Sequence, residues 1–129
     1  MMEDELKQRT KQFSLRIIKL VQALPNNIIG QTIGKQLIHS GTSVGANYRA
    51  VCRARSGKEF IAKLGIVIEE ADESAFWLEL IIENSLIKQN LVDSLLKETD
   101  EIISIMVKSS HTATTNQKNK SKNQPIKNQ

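Results

Sequence analysis

The sequence predicts an all-α protein, an antiparallel up-down-up-down four-helix bundle with a disordered basic C-terminal tail. Three observations favour this fold. Apolar residues recur at steps of three and four along most of the first 110 residues, as they do on one face of an α-helix. Only a few residues connect these periodic segments, which makes neighbouring helices antiparallel. No segment shows the apolar–polar alternation that is typical of a half-buried strand.

The first predicted helix runs from about Glu3 to Leu24. Pro25 ends it because proline lacks an N–H and disfavours helical geometry in the residue before it. Asn26 and Asn27 suit a turn and the next N-cap. The apolar face of this helix carries Phe13, Ile17, Leu20 and Leu24.

The second predicted helix, from about Asn27 to Arg55, carries glycines on one side. Each mid-helix glycine costs about 1 kcal/mol relative to alanine. Close approach to a neighbouring helix would offset that cost, and a kink or break near Gly41 is the alternative. The sequence therefore predicts close helix packing at Gly34, Gly41 and Gly45, with Gly30 in the first turn.

The third predicted helix begins at a capping-box pattern, with Ser56 at the N-cap and Glu59 at the third helical position, and runs to about Leu86. The fourth helix is predicted to follow a cap at Asn90. The mean apolar spacing of about 3.5 residues indicates side-by-side helices with left-handed supercoiling. The predicted core residues of these two helices are Ile61, Leu64, Ile68, Ala71, Ala75, Leu78 and Ile82, then Val92, Leu95, Thr99, Ile102 and Met106.

The predicted domain boundary lies near residue 110, with a bundle over 1–110 and a tail over 111–129. The tail holds four lysines, no acid and almost nothing apolar, so the entropy lost on ordering it has no compensation. Charge within the bundle is segregated. Residues 1–58 have a net charge of +7 and residues 59–110 a net charge of −7.

A second apolar face on the third helix predicts self-association. It lies roughly opposite the predicted core stripe, where a monomeric bundle would be polar, and a tryptophan-containing exposed stripe often marks a protein interface. The alternative is a central third helix wrapped by the others. The candidate interface residues are Ile66, Phe76, Trp77, Leu80 and Ile81.

A basic face of the second helix is the candidate nucleic-acid site. Lys35, Arg49 and Arg53 lie within roughly 40° of one another, with small residues between them. Arg55 and Lys58 follow at the next turn. A flat basic surface can approach a phosphate backbone. The alternative is that basic helices pair with the acidic third and fourth helices, within or between subunits.

The sequence lacks the residues that several other classes of protein would require. The longest apolar runs are far shorter than the roughly 20 residues of a membrane helix, and the acidic start is unlike a secretory signal. One cysteine, Cys52, excludes an internal disulfide and indicates a reducing cytoplasm. His39 lies roughly 20 Å from Cys52 along one helix, so no nucleophile–base pair forms there. We predict no enzyme, metal or cofactor.

The stretch from Leu37 to Ile81 resembles a bacterial family called four-helix bundle proteins, or 23S rRNA-intervening-sequence proteins. The matching segments are SGTSVGANYR (40–49), RARS (53–56), KEFIAKLGI (58–66), EEADES (69–74) and WLEL (77–80), together with FSLRIIKLVQALP (13–25).

The resemblance implies a cytoplasmic bundle that assembles as a ring-like homo-oligomer, often a pentamer. A related branch is similar to the accessory variability protein of diversity-generating retroelements, which binds nucleic acid and a reverse transcriptase. The basic residues that the resemblance implicates are Arg49, Arg53 and Arg55. The expected partners are therefore copies of this chain and RNA or DNA, or alternatively a protein such as a reverse transcriptase or a ribosome-associated factor.

Overall fold

A computed structural model of the chain describes residues 2–123, with side chains described as far as residue 121. It contains α1 (Met2–Gln22), α2 (Ile28–Cys52), α3 (Gly57–Glu83) and α4 (Gln89–Asn123). Each helix packs against the next, α4 also meets α1, and the described residues contain no strand. The predicted four-helix bundle is confirmed. Within the described range, no helix has the length and apolar character needed to cross a membrane.

Side chains that accept hydrogen bonds from orphan N–H groups start two of the helices. The Asn27 side chain accepts from the Gly30 N–H at 2.9 Å, and the Ser56 hydroxyl accepts from the Glu59 N–H at 3.1 Å. Pro25 lies in the turn before α2, three residues after α1 ends. Local chemistry thus places these ends close to where the sequence predicts them.

The turn between α3 and α4 differs from its prediction. Ser85 adopts a left-handed conformation with φ of 53°, and the Leu86 N–H donates to the Ile81 carbonyl at 3.1 Å. This bond closes α3 in the manner of a Schellman motif. The predicted cap at Asn90 is wrong, because α4 already begins at Gln89.

The buried stripe of α3 is rotated relative to its prediction. Ile61, Ile68 and Ile82 are only half-buried, because they lie at the edge of the stripe. α3 packs against both α2 and α4, so the centre of its stripe points between those two helices. All five predicted core residues of α4 are buried. The buried residues of α3 are Leu64, Val67, Ala71, Ser74, Ala75, Leu78 and Ile81.

Three glycines of α2, Gly34, Gly41 and Gly45, face α1. A Cβ on Gly41 would lie 2.6 Å from a methyl carbon of Ile17, and one on Gly45 would lie 2.8 Å from the Ser14 oxygen. A Cβ on Gly34 would lie 3.1 Å from α1. These contacts bring the two helices close together, and α2 is continuous through Gly41.

α4 extends further than predicted, since residues 111–123 of the expected disordered tail are helical. No glycine or proline interrupts the chain between Gln89 and Asn123, and helical hydrogen bonds are local, so polar residues can continue a helix. Ala113, Thr114 and Gln117 are half-buried. Residues 124–129 of the predicted tail lie outside the described residues.

Candidate nucleic-acid interface

A basic groove runs between the outer sides of α1 and α2. Its volume is about 390 Å³. It brings together Arg49 from α2, Arg53 at the C-cap of α2, and Lys11 from α1, and all three residues are exposed. The other lining residues, Ser14, Thr42, Gly45 and Ala46, are small. We call this surface the α1–α2 groove.

The close approach of the two helices makes the floor of the α1–α2 groove shallow. The Ser14 hydroxyl donates to the Gly41 carbonyl at 2.9 Å, across the helix boundary. Gly45 leaves room for the same hydroxyl, because a Cβ there would collide with it. A rigid floor without long side chains therefore lies between cations on two helices.

The groove cations lack acidic neighbours in the part of the chain that the structure describes. Among the side chains that the structure describes, Lys11, Arg49 and Arg53 have no acidic oxygen within 4.0 Å. The ion pairs of α1 lie on its other side, where Arg9 contacts Glu98 and Glu101. Among the described side chains, intrachain pairing between the basic and acidic halves thus involves Arg9 and Arg55, and it leaves the groove cations without an acidic partner.

The other predicted basic residues lie outside this groove. Lys35 is exposed on α2, roughly 21 Å along the helix from Arg49. It lines a second hollow of about 500 Å³ whose walls include Val21, Leu24 and Ile38. At the turn into α3, Arg55 and Lys58 are exposed, and the Arg55 guanidinium lies 3.9 Å from Glu59. The sequence prediction grouped Lys35 with Arg49 and Arg53 by helical angle, but its distance along the helix axis separates it from them.

Lys11 is the site residue that the candidate set misses. It lies on the first helix, and no sequence feature places it beside Arg49 and Arg53. The signal that could have found it is the glycine face of α2, because the helix that packs against those glycines must border the basic face. The missing information was the identity of that helix.

The predicted interface on α3 is partly buried within the chain. Ile81 has no exposed surface, because it belongs to the core stripe rather than the outer face, so its assignment to an interface is wrong. Ile66 and Phe76 are 44% and 51% exposed. Trp77 and Leu80 are half-buried against the core. We call Ile66, Phe76, Trp77 and Leu80 the α3 outer face.

Two aromatic rings dominate the α3 outer face. Phe76 and Trp77 meet edge to face, with ring centroids 5.0 Å apart and planes at 70°. The indole N–H of Trp77 donates to Glu73 at 3.4 Å. Glu70 lies three residues before Glu73 on the same helix. Burial and the neighbouring Glu73 carboxylate raise the pKa of Glu70. Glu73 is the carboxylate most directly tied to the aromatic pair.

Reactive groups in the described part of the chain are dispersed. Cys52 is half-buried. Burial, and to a lesser extent the nearby Glu3 carboxylate, raises the pKa of its thiol, which therefore stays protonated near neutrality. Burial also raises the pKa of Tyr48. His39 is exposed on α2. No three His, Cys, Asp or Glu side chains within residues 2–121 converge to hold a metal ion.

Comparisons with known proteins cover nearly all of the bundle. The sequence model of a family described as 23S rRNA-intervening sequence protein matches residues 2–108. A crystal structure from Bacteroides thetaiotaomicron, of a protein with unknown function from the S23 ribosomal protein family, is 33% identical with a TM-score of 0.79. That similarity covers 86% of this chain and 99% of the other. No curated protein matches the chain significantly.

Proposed function

The chain belongs to the 23S rRNA-intervening sequence protein family, and we propose that it is a non-enzymatic, self-associating cytoplasmic module that binds RNA or DNA through the α1–α2 groove. The observation that carries the proposal is the convergence of Lys11, Arg49 and Arg53 over a floor of small residues. Such a surface lets phosphates approach the protein closely.

The positive charge of the groove supports contact with a phosphate backbone, because its cations are not neutralised by carboxylates among the described side chains. The three cations have no carboxylate within 4.0 Å among the described side chains, so a bound phosphate displaces water and mobile counterions only. Each phosphate neutralised by a protein cation releases condensed counterions from the nucleic acid. Binding through three such contacts should give a slope of log affinity against log salt of about −3 on duplex DNA.

Side-chain chemistry supports binding without base preference. Base readout needs side chains that reach the groove edges of the nucleic acid, such as paired amides or guanidinium groups on an inserted helix. α2 instead packs along α1 and presents the small residues Thr42, Gly45 and Ala46 beside Arg49 and Arg53. Contacts to phosphate position a nucleic acid but carry no sequence information directly.

The test is a binding titration on the full chain. Fluorescence anisotropy of a labelled duplex RNA and of the matching DNA is measured at salt concentrations from about 50 to about 200 mM. Affinity that depends on phosphate contacts falls steeply over this range. We expect K11Q/R49Q/R53Q to lower affinity at least tenfold and to reduce the slope by about 3. The matched control, K19Q/K88Q/K97Q, removes the same charge from exposed lysines elsewhere and should bind nearly as the wild type does.

Equal weakening in the two triple variants would assign binding to net charge alone. If the wild type does not bind at the lowest salt concentration, about 50 mM, the proposal is overturned.

An adaptor role towards a protein is the second candidate function. The apolar hollow beside Lys35 favours it, because Val21, Leu24 and Ile38 could receive an apolar side chain of a partner. Ile38→Asp places a charge in that hollow and should release a protein partner while leaving nucleic-acid affinity unchanged. Affinity purification with wild type and I38D, followed by mass spectrometry, measures the difference.

Self-association is proposed through the α3 outer face. Ile66 and Phe76 keep about half of their surface exposed, beside the partly exposed Trp77. Aromatic and large aliphatic side chains are the usual anchors of a protein interface. The family resemblance adds the expectation of a ring, with a pentamer as the proposed form.

A further inference from the structure

The last part of α4 is a feature of this chain beyond its family match. The family model ends at residue 108, whereas α4 continues to Asn123. We call residues 109–121 the α4 extension. Arg9 pairs with Glu98 and Glu101 between antiparallel helices, so the start of α1 at Met2 lies level with about residues 105–108. The α4 extension therefore projects past the start of α1.

The α4 extension packs on the beginning of α3. The Gln117 side chain lies directly against Gly57, which has no Cβ to displace it. Ala113 and Thr114 are half-buried one turn earlier, and the Thr114 hydroxyl donates to the Ser110 carbonyl at 2.8 Å. Small residues and one glutamine thus hold the extension against the bundle without a large apolar stripe.

This packing places lysines of the α4 extension beside other cations. Lys118 follows Gln117, and Lys58 follows Gly57, so the contact between Gln117 and Gly57 brings the two lysines to the same end of the bundle. Lys120 lies in the next half-turn, and both extension lysines are exposed. Arg55 lies two residues before Gly57. Arg55, Lys58 and Lys118 therefore lie at the end of the bundle where Arg53, the C-cap residue of α2, lines the α1–α2 groove.

We infer that the α4 extension is a second nucleic-acid contact, in which Lys118 and Lys120 contact the phosphate backbone of a nucleic acid bound in the α1–α2 groove. This inference rests on the proposed function of that groove. Helical structure is part of the inference, because a docked helix fixes the lysines relative to Lys58. The simpler role for these lysines is to stabilise the negative end of the helix dipole.

Two full-chain variants separate these roles. K118Q/K120Q removes two charges and should reduce the slope of log affinity against log salt on duplex DNA by about 2. Ala113→Pro keeps every charge but removes the N–H that bonds the residue 109 carbonyl, so it breaks the helix beyond the buried Met106. A113P should lower the slope as K118Q/K120Q does. K88Q/K97Q is the charge-matched control and should leave the slope unchanged.

The outcomes distinguish this inference from the groove proposal. If K118Q/K120Q binds like K88Q/K97Q while K11Q/R49Q/R53Q loses binding, the extension makes no contact and the groove still does. If A113P binds like the wild type, the lysines need no docked helix and the inference is overturned in the form stated. A wild type that binds neither RNA nor DNA removes both proposals. Thermal unfolding followed by circular dichroism confirms that each variant retains the bundle.

Discussion

At the scale of the residue, the glycines of α2 show how one missing methyl group sets the distance between helices. Gly41 and Gly45 lie against Ile17 and Ser14, where a Cβ would overlap the partner. Gly65, on α3, has no atom within 4 Å of the place its Cβ would occupy. The same residue type therefore has opposite consequences at different positions.

Gly41→Ala should lower the free energy of unfolding by about 1–3 kcal/mol, because the new methyl group overpacks the contact with Ile17. Gly65→Ala should raise it by up to about 1 kcal/mol, because alanine is the better helix former and meets no obstacle. Urea denaturation of both variants measures the difference. A stabilised Gly41→Ala variant would show that α1 and α2 are further apart than described.

At the scale of the element, α1 and α4 meet through charged groups. The Arg9 guanidinium donates two hydrogen bonds to Glu98, both at 2.8 Å, and a third to Glu101. Arg16 donates to Ser94 at 3.0 Å further along the same seam. These bonds fix the register of α1 on α4, because each arginine has its partner at a set height.

Arg9→Gln should lower the free energy of unfolding by about 1 kcal/mol at neutral pH, since the pair is only partly shielded from solvent. The hydrogen bond from Arg9 holds the pKa of the Glu98 carboxyl below its usual range. A lowered folded-state pKa gives stability that is present above the unfolded value, about 4.3, and is lost as the pH falls through the folded value.

The stability difference between wild type and R9Q should therefore be complete at neutral pH and close under strongly acidic conditions, below about pH 4. Urea denaturation over a pH series provides the measurement. Lys11→Gln is the control, because that lysine has no carboxylate within 4.0 Å among the described side chains. A difference that persists undiminished in acid would contradict the role of Glu98.

At the scale of the whole molecule, the exposed part of the α3 outer face is the surface that self-association would cover. Ile66 and Phe76 lie on one helix, ten residues apart, and both are about half exposed. Glu70 and Glu73 lie between them in sequence. A copy of this chain could cover the apolar groups and leave the carboxylates at the edge of the contact.

Ile66→Asp and Phe76→Asp should each convert the assembly to a monomer of 14.5 kDa, measured by light scattering after size exclusion at micromolar concentration. The fold should survive, because these side chains are exposed in the single chain. Val107→Asp is the control, since Val107 is a comparably exposed aliphatic residue on α4. A wild type that already runs as a monomer would eliminate this interface.

Features that depend on neighbours in the chain were accessible from the sequence. The four helices follow from local apolar periodicity. Pro25, Asn27 and Ser56 mark helix ends because proline geometry and capping bonds act within a few residues. The core stripe of α4 was also predictable, because its five members recur at steps of three and four, which places them on one face of the helix.

Only the tertiary structure decided which side of α3 is buried, which cation joins Arg49 and Arg53, and where α4 ends. α3 is apolar over too wide an arc for its own sequence to orient it, and packing against two neighbours buried Ile81. Lys11 lies in the groove because α1 packs on the glycines of α2. A sequence determines helical periodicity through local hydrogen bonds, whereas the rotation and contacts of each helix depend on residues distant in the chain.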